Sequence, residues 1–502
     1  MANVQSFCHR VIRLTAHLFT LSPCHLVTLS SLFLLAGCFT LSGSNGGGEG
    51  VSFQGPRRVS AADVALPPGY TITPLAIGLC YPTGVCFDDH GGVFITEAGG
   101  ADRVPRLLKI NSDGSTTAIA TGSNPPWNGV TFYKGDFFVS EGGALTGGKI
   151  LKISPDGQIS SLVENLPSQG EFQTSGPLIS DDGYIYFGQG SATNSGIAGL
   201  DDDSLGWLPI NRRFHDIPGA DIKLTGVNVE TADPLGTGSS AVTGAFSPFG
   251  QPTAAGQIAP GQVPCTGAIM RIPVAGGAPE LVAWGFRNPF GLAFAPGNKL
   301  FITEQSYEDR GSRPVSGCGD LLWEVKPALW YGWPDFHGDL PLAGSAQFWA
   351  AGKPQPQPLL AEYPNLPPKP AAILAMHAGA AGLDFSREAS FGHVGEAFVA
   401  EFGDLAPLAG KLTAPVGFDV IRIDPATGVS HVFAANKDDR TGPASKLGSA
   451  GLERPIAARF DQTGTSLYVV DYGVVLAGNS SVQKPIARPD TGVLWKITKA
   501  TP

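Results

Sequence analysis

An apolar strand, a tight turn and a second strand recur six times along this chain of 502 residues. Each copy is followed by a third strand of the type LLKI or GAIMRI, and most of these by a fourth strand. The six copies occupy residues 83–97, 128–141, 175–190, 290–304, 381–401 and 455–472. Six such units predict an all-β fold, a six-bladed β-propeller of four-stranded blades.

The end of the repeat predicts how the ring closes. The third strand of the sixth unit ends at Ile497, which leaves almost no chain for a fourth strand. Residues 70–79, just before the first unit, have the composition of the missing strand. We therefore expect this N-terminal strand to complete the last blade and close the ring. A β-sandwich would not require six matched units, so the propeller is favoured.

Composition agrees with a turn-rich β domain. The chain has 67 Gly and 42 Pro, and only 15% of its residues are charged. This balance excludes coiled coils and helical repeats, which need charged helix faces. With 42% hydrophobic residues, the chain can bury a large core. A net charge of −10 without a basic run argues against nucleic acid as a partner.

The N-terminal segment has the pattern of a secretory signal. It carries Arg10 and Arg13 and no acidic residue, followed by an apolar run over residues 26–36. The run ends in LLAGC, the form of a bacterial lipoprotein signal-peptidase site in which Cys38 receives the lipid. An ordinary signal peptide or a membrane anchor is the alternative, although the run is shorter than the roughly 20 residues of a spanning helix.

Three segments follow from this pattern. They are a lipoprotein signal peptide at residues 1–37, a lipidated cysteine with a flexible Gly/Ser-rich linker at 38–65, and the propeller at 66–499. We expect an exported lipoprotein that faces the periplasm or the cell surface. The lipid anchor would be its only attachment to the membrane.

Loop lengths predict which face of the propeller carries function. The turns that join first to second and third to fourth strands lie on one face and are mostly minimal. We name this side the short-turn face. The long-loop face receives the second-to-third and blade-to-blade connections, and we assign to it the largest inserts, 190–266 and 331–380. Long loops on a rigid scaffold usually carry binding and chemistry, so we expect the site there.

Four cysteines follow Cys38, and an even number in an exported protein suggests disulfides. Cys265 and Cys318 each precede the third strand of adjacent blades, on the long-loop face. Cys80 and Cys86 flank one blade connection on that face. We predict these two pairings, with four free thiols as the alternative.

Several motifs on the long-loop face resemble one family. They read WGFRNPFGLAF at 284–294, TEQ at 303–305, GDLLWEVKP at 319–327 and YGWP at 331–334. This series resembles the glucose/sorbosone dehydrogenase family, the soluble six-bladed quinoproteins that use pyrroloquinoline quinone (PQQ). The similarity also covers residues 166–196 and 451–460, and therefore nearly the whole propeller.

The resemblance implies an activity and its cofactors. A quinone would lie across the central channel, Ca²⁺ would polarise it, and hydride would pass to it from a sugar substrate. The electron acceptor is not implied. By position, the implied quinone contacts are Arg287, Asn288, Arg454 and, more weakly, Asn128. The implied calcium ligands are the backbone carbonyls of Ser306 and Tyr307. Each of these residues could instead be structural.

One departure from the family concerns the general base. The family has a His after an acidic residue in the loop that enters the third blade, and Phe172 stands at that position here. Phe cannot accept a proton. Glu171 could replace the imidazole if its side chain pointed into the channel, and Gln173 could hydrogen-bond a sugar. Loss of a general base typically costs about 10²–10⁴-fold in rate.

Three functions therefore stay open. The first is a PQQ-dependent sugar dehydrogenase-like oxidoreductase with an altered or missing base. The second is a non-catalytic propeller that binds a carbohydrate or another protein. The third is a metal-dependent lactonase-type hydrolase, which needs acidic side chains converging on one metal. For residues 201–203, three consecutive Asp, we expect a solvated acidic loop rather than a calcium site, because the spaced ligand pattern is missing.

Overall fold

In the computed structural model, each of the six repeats folds as a four-stranded antiparallel sheet. The structure describes residues 53–100, 103–143, 146–236, 238–410, 412–438, 440–476 and 484–500. All of them belong to one compact unit, which comprises residues 44–502. The signal peptide, Cys38 and the first part of the linker lie outside the described residues.

The first three blades follow the predicted repeat. Blade 1 consists of Pro82–Phe87, Val93–Glu97, Arg106–Ile110 and Thr116–Thr121. Blade 2 consists of Trp127–Tyr133, Asp136–Glu141, Gly148–Ile153 and Ile159–Leu166. Blade 3 consists of Thr174–Ile179, Tyr184–Gln189, Ala268–Pro273 and Glu280–Trp284.

The last three blades complete the ring. Blade 4 consists of Asn288–Ala295, Lys299–Gln305, Gly319–Glu324 and Ala372–Met376. Blade 5 consists of Ala380–Phe385, Ala397–Glu401, Asp419–Ile423 and Ser430–Asn436, and Val64–Ala65 adds a short fifth strand at its edge. Blade 6 consists of Pro455–Phe460, Ser466–Asp471, Gly492–Lys499 and Tyr70–Leu79.

The predicted closure of the ring is confirmed. Tyr70–Leu79 pairs antiparallel with Gly492–Lys499, from Tyr70 opposite Lys499 to Leu79 opposite Gly492. The outermost strand of blade 6 therefore comes from the N-terminal side of the propeller and the next strand from its C-terminal end. Hydrogen bonds across this pair hold the first and last parts of the ring together.

The recurrent glycine of the sequence repeat has a steric cause. Five of the six first strands place a glycine at the channel: Gly84, Gly129, Gly176, Gly291 and Gly382. A Cβ on Gly129 would lie only 2.2 Å from the carbonyl oxygen of Gly176, and one on Gly291 only 2.3 Å from that of Ala381. Only glycine lets neighbouring first strands approach so closely around the axis.

Most inner strands are buried on both faces because each blade lies between two others. Every residue of Pro82–Phe87, Ala397–Glu401 and Ser466–Asp471 is buried. Such strands read as continuous apolar runs rather than as an alternation of apolar and polar residues. Outer strands such as Thr116–Thr121 are mostly exposed and keep a polar composition.

The two largest inserts carry short elements of their own. The insert of blade 3 contains the helix Leu200–Leu205 and the strand pairs Ile222–Lys223 with Ile258–Ala259 and Asn228–Ala232 with Ser240–Gly244. The insert of blade 4 contains Phe336–His337 paired with Leu340–Pro341 and the 3₁₀ helix Ala346–Phe348. Other short elements are Ala61–Asp63, Ala444–Leu447 and the pair Val475–Leu476 with Ile486–Ala487. Among the described residues, no helix is long and apolar enough to cross a membrane.

The insert of blade 4 differs from its predicted position. It joins the third and fourth strands of that blade, because Ala372–Met376 pairs with Gly319–Glu324 as the fourth strand. The insert then runs beside the outer strand of blade 3, where Tyr331 N donates to Trp284 O at 2.8 Å. It packs with the insert of blade 3 in one apolar cluster that includes Leu224 and Phe348. It therefore reaches the long-loop face by an indirect route.

The predicted disulfides are absent, because all four cysteines are buried free thiols. Cys86 belongs to a strand and packs into the core between blades 1 and 2, whereas Cys80 packs with Tyr81 in a separate cluster. Cys265 and Cys318 share one apolar cluster but remain unbonded. Proximity along the chain did not predict the direction of each side chain.

Candidate functional site

Arg287 is the most heavily bonded of the predicted site residues. It lies between the last strand of blade 3 and the first strand of blade 4, with only 1% of its surface exposed. Its backbone N donates to Glu304 Oε1 at 2.6 Å. Its Nε donates to the backbone and side-chain oxygens of Asn194, at 3.2 and 3.1 Å. The guanidinium is therefore oriented by the blade 3 insert.

Two carboxylates complete the surroundings of this guanidinium. Arg287 Nη2 lies 3.1 Å from Glu308 Oε2 and 3.6 Å from Glu171 Oε1. A second guanidinium, that of Arg310, pairs with Glu171, with Glu308 at 2.5 Å and with Asp201 at 2.8 Å. We name these five side chains the charge network. Its carboxylates and guanidiniums are mutually compensated, as buried charges must be.

Phe172 closes the other side of Arg287. The ring centroid lies 4.3 Å from the guanidinium carbon, which is a cation–π contact. The backbone N–H groups of Glu171 and Phe172 donate to Ala192 O and Ser191 O, at 2.9 and 3.2 Å. This segment is therefore held as a fixed loop against the end of blade 3. At the position of the family's base, the chain has a ring stacked on the arginine.

Glu171 is turned into the charge network. Burial raises the pKa of its carboxyl to about 7, against the opposing effect of Arg310 and Arg287. Its Oε1 pairs with the two arginines, whereas Oε2 is buried without a hydrogen-bond partner. The backbone carbonyl of Gln173 accepts a hydrogen bond from Gly190 N at 3.2 Å, which holds this residue in place. Neither residue is arranged as a free base on an open channel.

The expectation of a solvated loop at residues 201–203 is wrong for two of its three residues. Asp202 is fully buried, where it accepts from Gly199 N at 2.7 Å and from Trp207 Nε1 at 3.1 Å. Burial, followed by the charges of Asp201 and Glu171, holds the pKa of Asp202 well above its usual range. Asp201 is paired with Arg310 in the charge network. The loop turns inward because the helix Leu200–Leu205 begins there.

A metal site could be considered at this point, because one oxygen each of Glu171, Asp201 and Asp202 lie within 4.8 Å of one another. The guanidinium of Arg310 already compensates Glu171 and Asp201. A divalent cation would have to sit against that positive charge, which is unfavourable. Glu171 and Asp201, two of the acids that a lactonase-type metal site would need, are therefore paired with Arg310.

The remaining predicted contacts of blade 4 face protein groups. Asn288 Nδ2 donates to Gln305 Oε1 at 2.9 Å. The backbone N of Ser306 donates to Asp320 Oδ1 at 3.0 Å, and the hydroxyl of Tyr307 donates to Phe336 O at 2.8 Å. These bonds hold the start of the connection after the second strand of blade 4. Calcium binding by the carbonyls of residues 306 and 307 stays a prediction.

Arg454 is placed apart from Arg287. Its Nη1 donates to the carbonyls of Phe402, Gly403 and Asp404 at 3.2, 3.1 and 3.0 Å. Its guanidinium carbon also lies 4.9 and 4.8 Å from the ring centroids of Phe402 and Phe418. Burial lowers its pKa to about 10. The hydrogen bonds of the two arginines go to different segments, and Nε and Nη2 of Arg454 are buried without hydrogen-bond partners among the described residues.

Asn128 lies at the channel itself, where its Nδ2 donates to Thr174 O at 2.8 Å. The cavity between the first strands is only about 60 Å³. Small-molecule sites usually have volumes of about 300–1,000 Å³. The channel is therefore too narrow at this level to admit a ring system.

The residues present do not fit PQQ as the resemblance implies. Four cavities stand out in the described part of the chain, and none is lined by Arg287, Arg454 or Glu171. Phe172 and two carboxylates of the charge network surround the guanidinium of Arg287. Arg287 Nη2 and Arg454 Nε and Nη2 are buried without hydrogen-bond partners among the described residues, but none of these four cavities adjoins them with room for a ring system. We therefore derive no chemical step through this cofactor.

Sequence reasoning found Arg287, Glu171 and Phe172 but missed Arg310, Glu308 and Asn194. Asn194 is the hub of the loop contacts, because its Nδ2 donates to Glu308 O at 2.8 Å and to Arg310 O at 3.1 Å. The available signal was the run EDR at 308–310, which follows the TEQ motif after two residues, in a chain poor in charge. The fold and this charge network define a β-propeller whose long-loop face holds a set of paired buried charges.

Comparison with solved structures identifies the fold class. The holo PQQ domain of pyranose dehydrogenase from Coprinopsis cinerea is 13% identical and has a TM-score of 0.52, over 89% of this chain and 98% of that chain. A family AA12 carbohydrate-active enzyme from Trichoderma reesei is 14% identical with a TM-score of 0.52, over 89% and 100%. A glucose dehydrogenase structure is 16% identical with a TM-score of 0.50, over 85% and 99%.

These likenesses establish that the chain has the six-bladed propeller fold of PQQ-dependent sugar dehydrogenases. At such low identity they establish the fold alone. No protein-family model and no curated protein matches the sequence.

Proposed function

We propose that this protein is a carbohydrate-binding propeller that has the fold of the sugar dehydrogenases without their quinone chemistry. One observation carries the proposal: Phe172 stacks on Arg287 while Glu171 and Glu308 occupy the other side of the guanidinium. The guanidinium that would hold a quinone carboxylate therefore has a ring on one face and two carboxylates beside it, while its Nη2 is buried without a hydrogen-bond partner among the described residues. At the position of the family's base the chain has Phe172, which cannot accept a proton.

Carbohydrate is favoured as the ligand class on two grounds. The solved structures that share this fold include enzymes described by pyranose, glucose and carbohydrate activity. The blade 4 insert also exposes Trp349 by 48% and Tyr363 by 37%. Phe348 O accepts from Ser316 N at 3.2 Å, so Trp349 follows a residue tied to the blade 4 connection of the long-loop face. Exposed aromatic faces can stack on the apolar face of a sugar ring.

The buried tryptophans of the same insert are excluded as sugar platforms. Trp330 is fully buried and stacks on Tyr363, with ring centroids 5.5 Å apart. Trp333 is 4% exposed and packs on Phe246. These residues hold the insert in place. Trp349 is the residue to change in a binding experiment.

The test combines two titrations of the purified protein. With PQQ and Ca²⁺, calorimetry should show no saturable binding, and dye reduction with aldoses should stay at the background level. Neutral oligosaccharides should quench tryptophan fluorescence saturably, and Trp349→Ala should weaken that binding at least about tenfold. Ile373→Ala, a change at another exposed apolar side chain, serves as the matched control. Stoichiometric PQQ binding, or no oligosaccharide binding at all, would overturn the proposal.

A PQQ-dependent sugar dehydrogenase is the second candidate. It is supported by the fold and by the adjacency of Arg287, Asn288 and Gln305, whose side chains or backbone are joined by hydrogen bonds at 3.3 and 2.9 Å. The substitution Phe172→His separates the candidates, since a gain of dye-linked activity with PQQ and Ca²⁺ would reveal a usable cofactor site. On our proposal this variant stays inactive, because Glu171 and Glu308 still cover Arg287.

Lipid attachment at Cys38 and export remain part of the proposal. Metabolic labelling with a fatty acid, in the native sequence and in Cys38→Ser, tests them without reference to the ligand. Label in the variant, or none in the native protein, would contradict the lipoprotein prediction.

A further inference from the structure

The largest of the four cavities lies at the other end of the propeller. Its volume is about 570 Å³, within the usual range of small-molecule sites. It is lined by the ends of first strands and the turns that follow them, including Phe87, Phe132, Ile179, Phe294 and Phe460. This cavity, the short-turn mouth, opens on the face where the sequence predicts mostly minimal turns.

Arg459 is the innermost charge of the short-turn mouth. It is the one charged residue that lines both this cavity and the narrow channel cavity among their described residues. Its side chain is half-buried on the first strand of blade 6. No described group forms an ion pair or hydrogen bond with its guanidinium. A cation in this position has five donors available for a ligand.

The nearby carboxylates are already used by the protein. Asp384 accepts from the backbone N of Phe385 at 2.8 Å and of Phe460 at 3.0 Å. It also pairs with Arg387 at 3.1 Å. Asp461 accepts from the hydroxyl of Thr463 at 2.9 Å and from backbone N–H groups of the same turn. These bonds explain why neither carboxylate is paired with Arg459.

The other charges of the mouth lie at its rim. Asp181 and Glu388 are exposed, and Arg387 donates to Phe294 O at 2.7 Å. The rings of Phe132, Phe294 and Phe460 line the cavity together with polar groups of its turns. A ligand in the mouth therefore meets phenylalanine rings beside polar turn groups and the one cation that has no partner among the described residues.

We propose that the short-turn mouth binds an organic monoanion, a carboxylate with an apolar body. The carboxylate pairs with Arg459, which suits the planar fork of a guanidinium, and the body packs on the phenylalanine walls. The rim carboxylates disfavour ligands with several negative charges. This site is separate from the carbohydrate surface, so either can fail without the other.

The probe for this site is 4-phenylbutyrate, with the neutral 4-phenylbutan-1-ol as its matched ligand control. Calorimetry on the propeller should show one saturable site for the acid, with Kd in the range of about 0.1–1 mM. The alcohol should bind at least about tenfold more weakly, the equivalent of about 1.4 kcal/mol. Equal binding of acid and alcohol, or no saturable binding of the acid, would overturn the proposal without any variant.

The protein variants locate the site. Arg459→Gln should weaken binding of the acid at least about tenfold, and Arg459→Lys should retain part of it. Lys152→Gln makes the same change of net charge on blade 2, where Lys152 pairs with Asp136 at 2.7 Å, and should leave binding unchanged. Circular dichroism confirms that each variant is folded. Unchanged binding in folded Arg459→Gln, or an equal loss in Lys152→Gln, would refute Arg459 as the anchor.

Discussion

The two ends of the propeller differ in whether their arginines have charged partners. On the long-loop face, Arg287 and Arg310 pair with three carboxylates and Phe172 stacks on Arg287, and only Nη2 of Arg287 in this pair of arginines is buried without a hydrogen-bond partner among the described residues. At the short-turn mouth, Arg459 has no partner in the described part of the chain and faces a cavity of about 570 Å³. The long loops supply side chains that pair with the arginines of the long-loop face. The turns of the short-turn face are mostly short, and Arg459 lies there beside a cavity.

Loop length is therefore not a direct measure of function. Long connections carry polar groups, and these groups can satisfy one another as readily as they can bind a ligand. Asn194 does this by bonding both Arg287 and the backbone of Glu308 and Arg310. An unsatisfied charge beside a cavity is the stronger indication of a ligand.

The largest expected effect comes from opening the charge network. Arg310→Met should lower the free energy of unfolding by about 3–5 kcal/mol, because Glu171, Glu308 and Asp201 would lose their shared cation. Urea unfolding followed by circular dichroism measures the change. Arg422→Met, which removes a more exposed pair with Glu396, should cost no more than about 1 kcal/mol. Equal effects of the two variants would mean that the network is not a buried unit.

A pH effect should follow from a carboxyl pair near the long-loop face. Burial raises the pKa of Asp419 to about 6, and burial with the charge of Asp419 holds the pKa of Glu401 well above its usual range. Because the folded state keeps protons that the unfolded state releases, stability should fall as pH rises from about 4 to about 7.

The measurement is the free energy of unfolding at intervals across that pH range. Glu401→Gln should reduce the decline by roughly 1–3 kcal/mol, since the amide keeps a donor for Asp419 without a proton to lose. Glu388→Gln, at the exposed rim of the other end, should leave the profile unchanged. A profile of Glu401→Gln identical to that of the native protein would contradict this assignment.

A smaller effect is expected at the ring that covers Arg287. Phe172→Leu keeps an apolar side chain but removes the π face, so the melting temperature should drop by an amount equivalent to about 1 kcal/mol. Phe132→Leu is the control at the short-turn mouth, where the ring contacts Phe137 rather than a cation. If the Phe172 variant gained binding of PQQ, the ring alone would be the barrier at that end.

The smallest effect should come from a surface ion pair outside both ends. Lys299 Nζ lies 3.5 Å from Glu324 Oε1, and both side chains are substantially exposed. Lys299→Gln should change stability by less than about 1 kcal/mol, and the change should vanish in high salt. Thermal unfolding at low and high ionic strength checks it. If the loss of stability were as large as that of Arg310→Met, burial would not explain the difference between buried and exposed ion pairs.

Much of the fold could be predicted because its signal is local and repeated. The glycine of five first strands, the short turns and the apolar runs are constraints within one blade, and they recur along the sequence. Ring closure followed from counting strands. The path of the blade 4 insert could not be predicted in this way, because its pairing with Trp284 of blade 3 depends on a contact between distant segments.

The site could be predicted only in part. Motifs located Arg287, Asn288 and Phe172, but the partners of a guanidinium are chosen by geometry across three connections. Arg454 shows the same limit, since it matches a family position and yet is held by backbone carbonyls and two rings of blade 5. No sequence motif marks Arg459, because its lack of a partner depends on which residues surround it in the folded protein.

By itself, the sequence determined the architecture: the number of blades, the strands within them and the closing strand. Those features depend on apolar periodicity and turn residues, which act over a few positions. Only the tertiary structure decided which charges are satisfied, which cysteines stay apart and which end of the channel is open. Those outcomes depend on side chains from distant segments meeting in a buried space, where the energy of a charge is set by its neighbours.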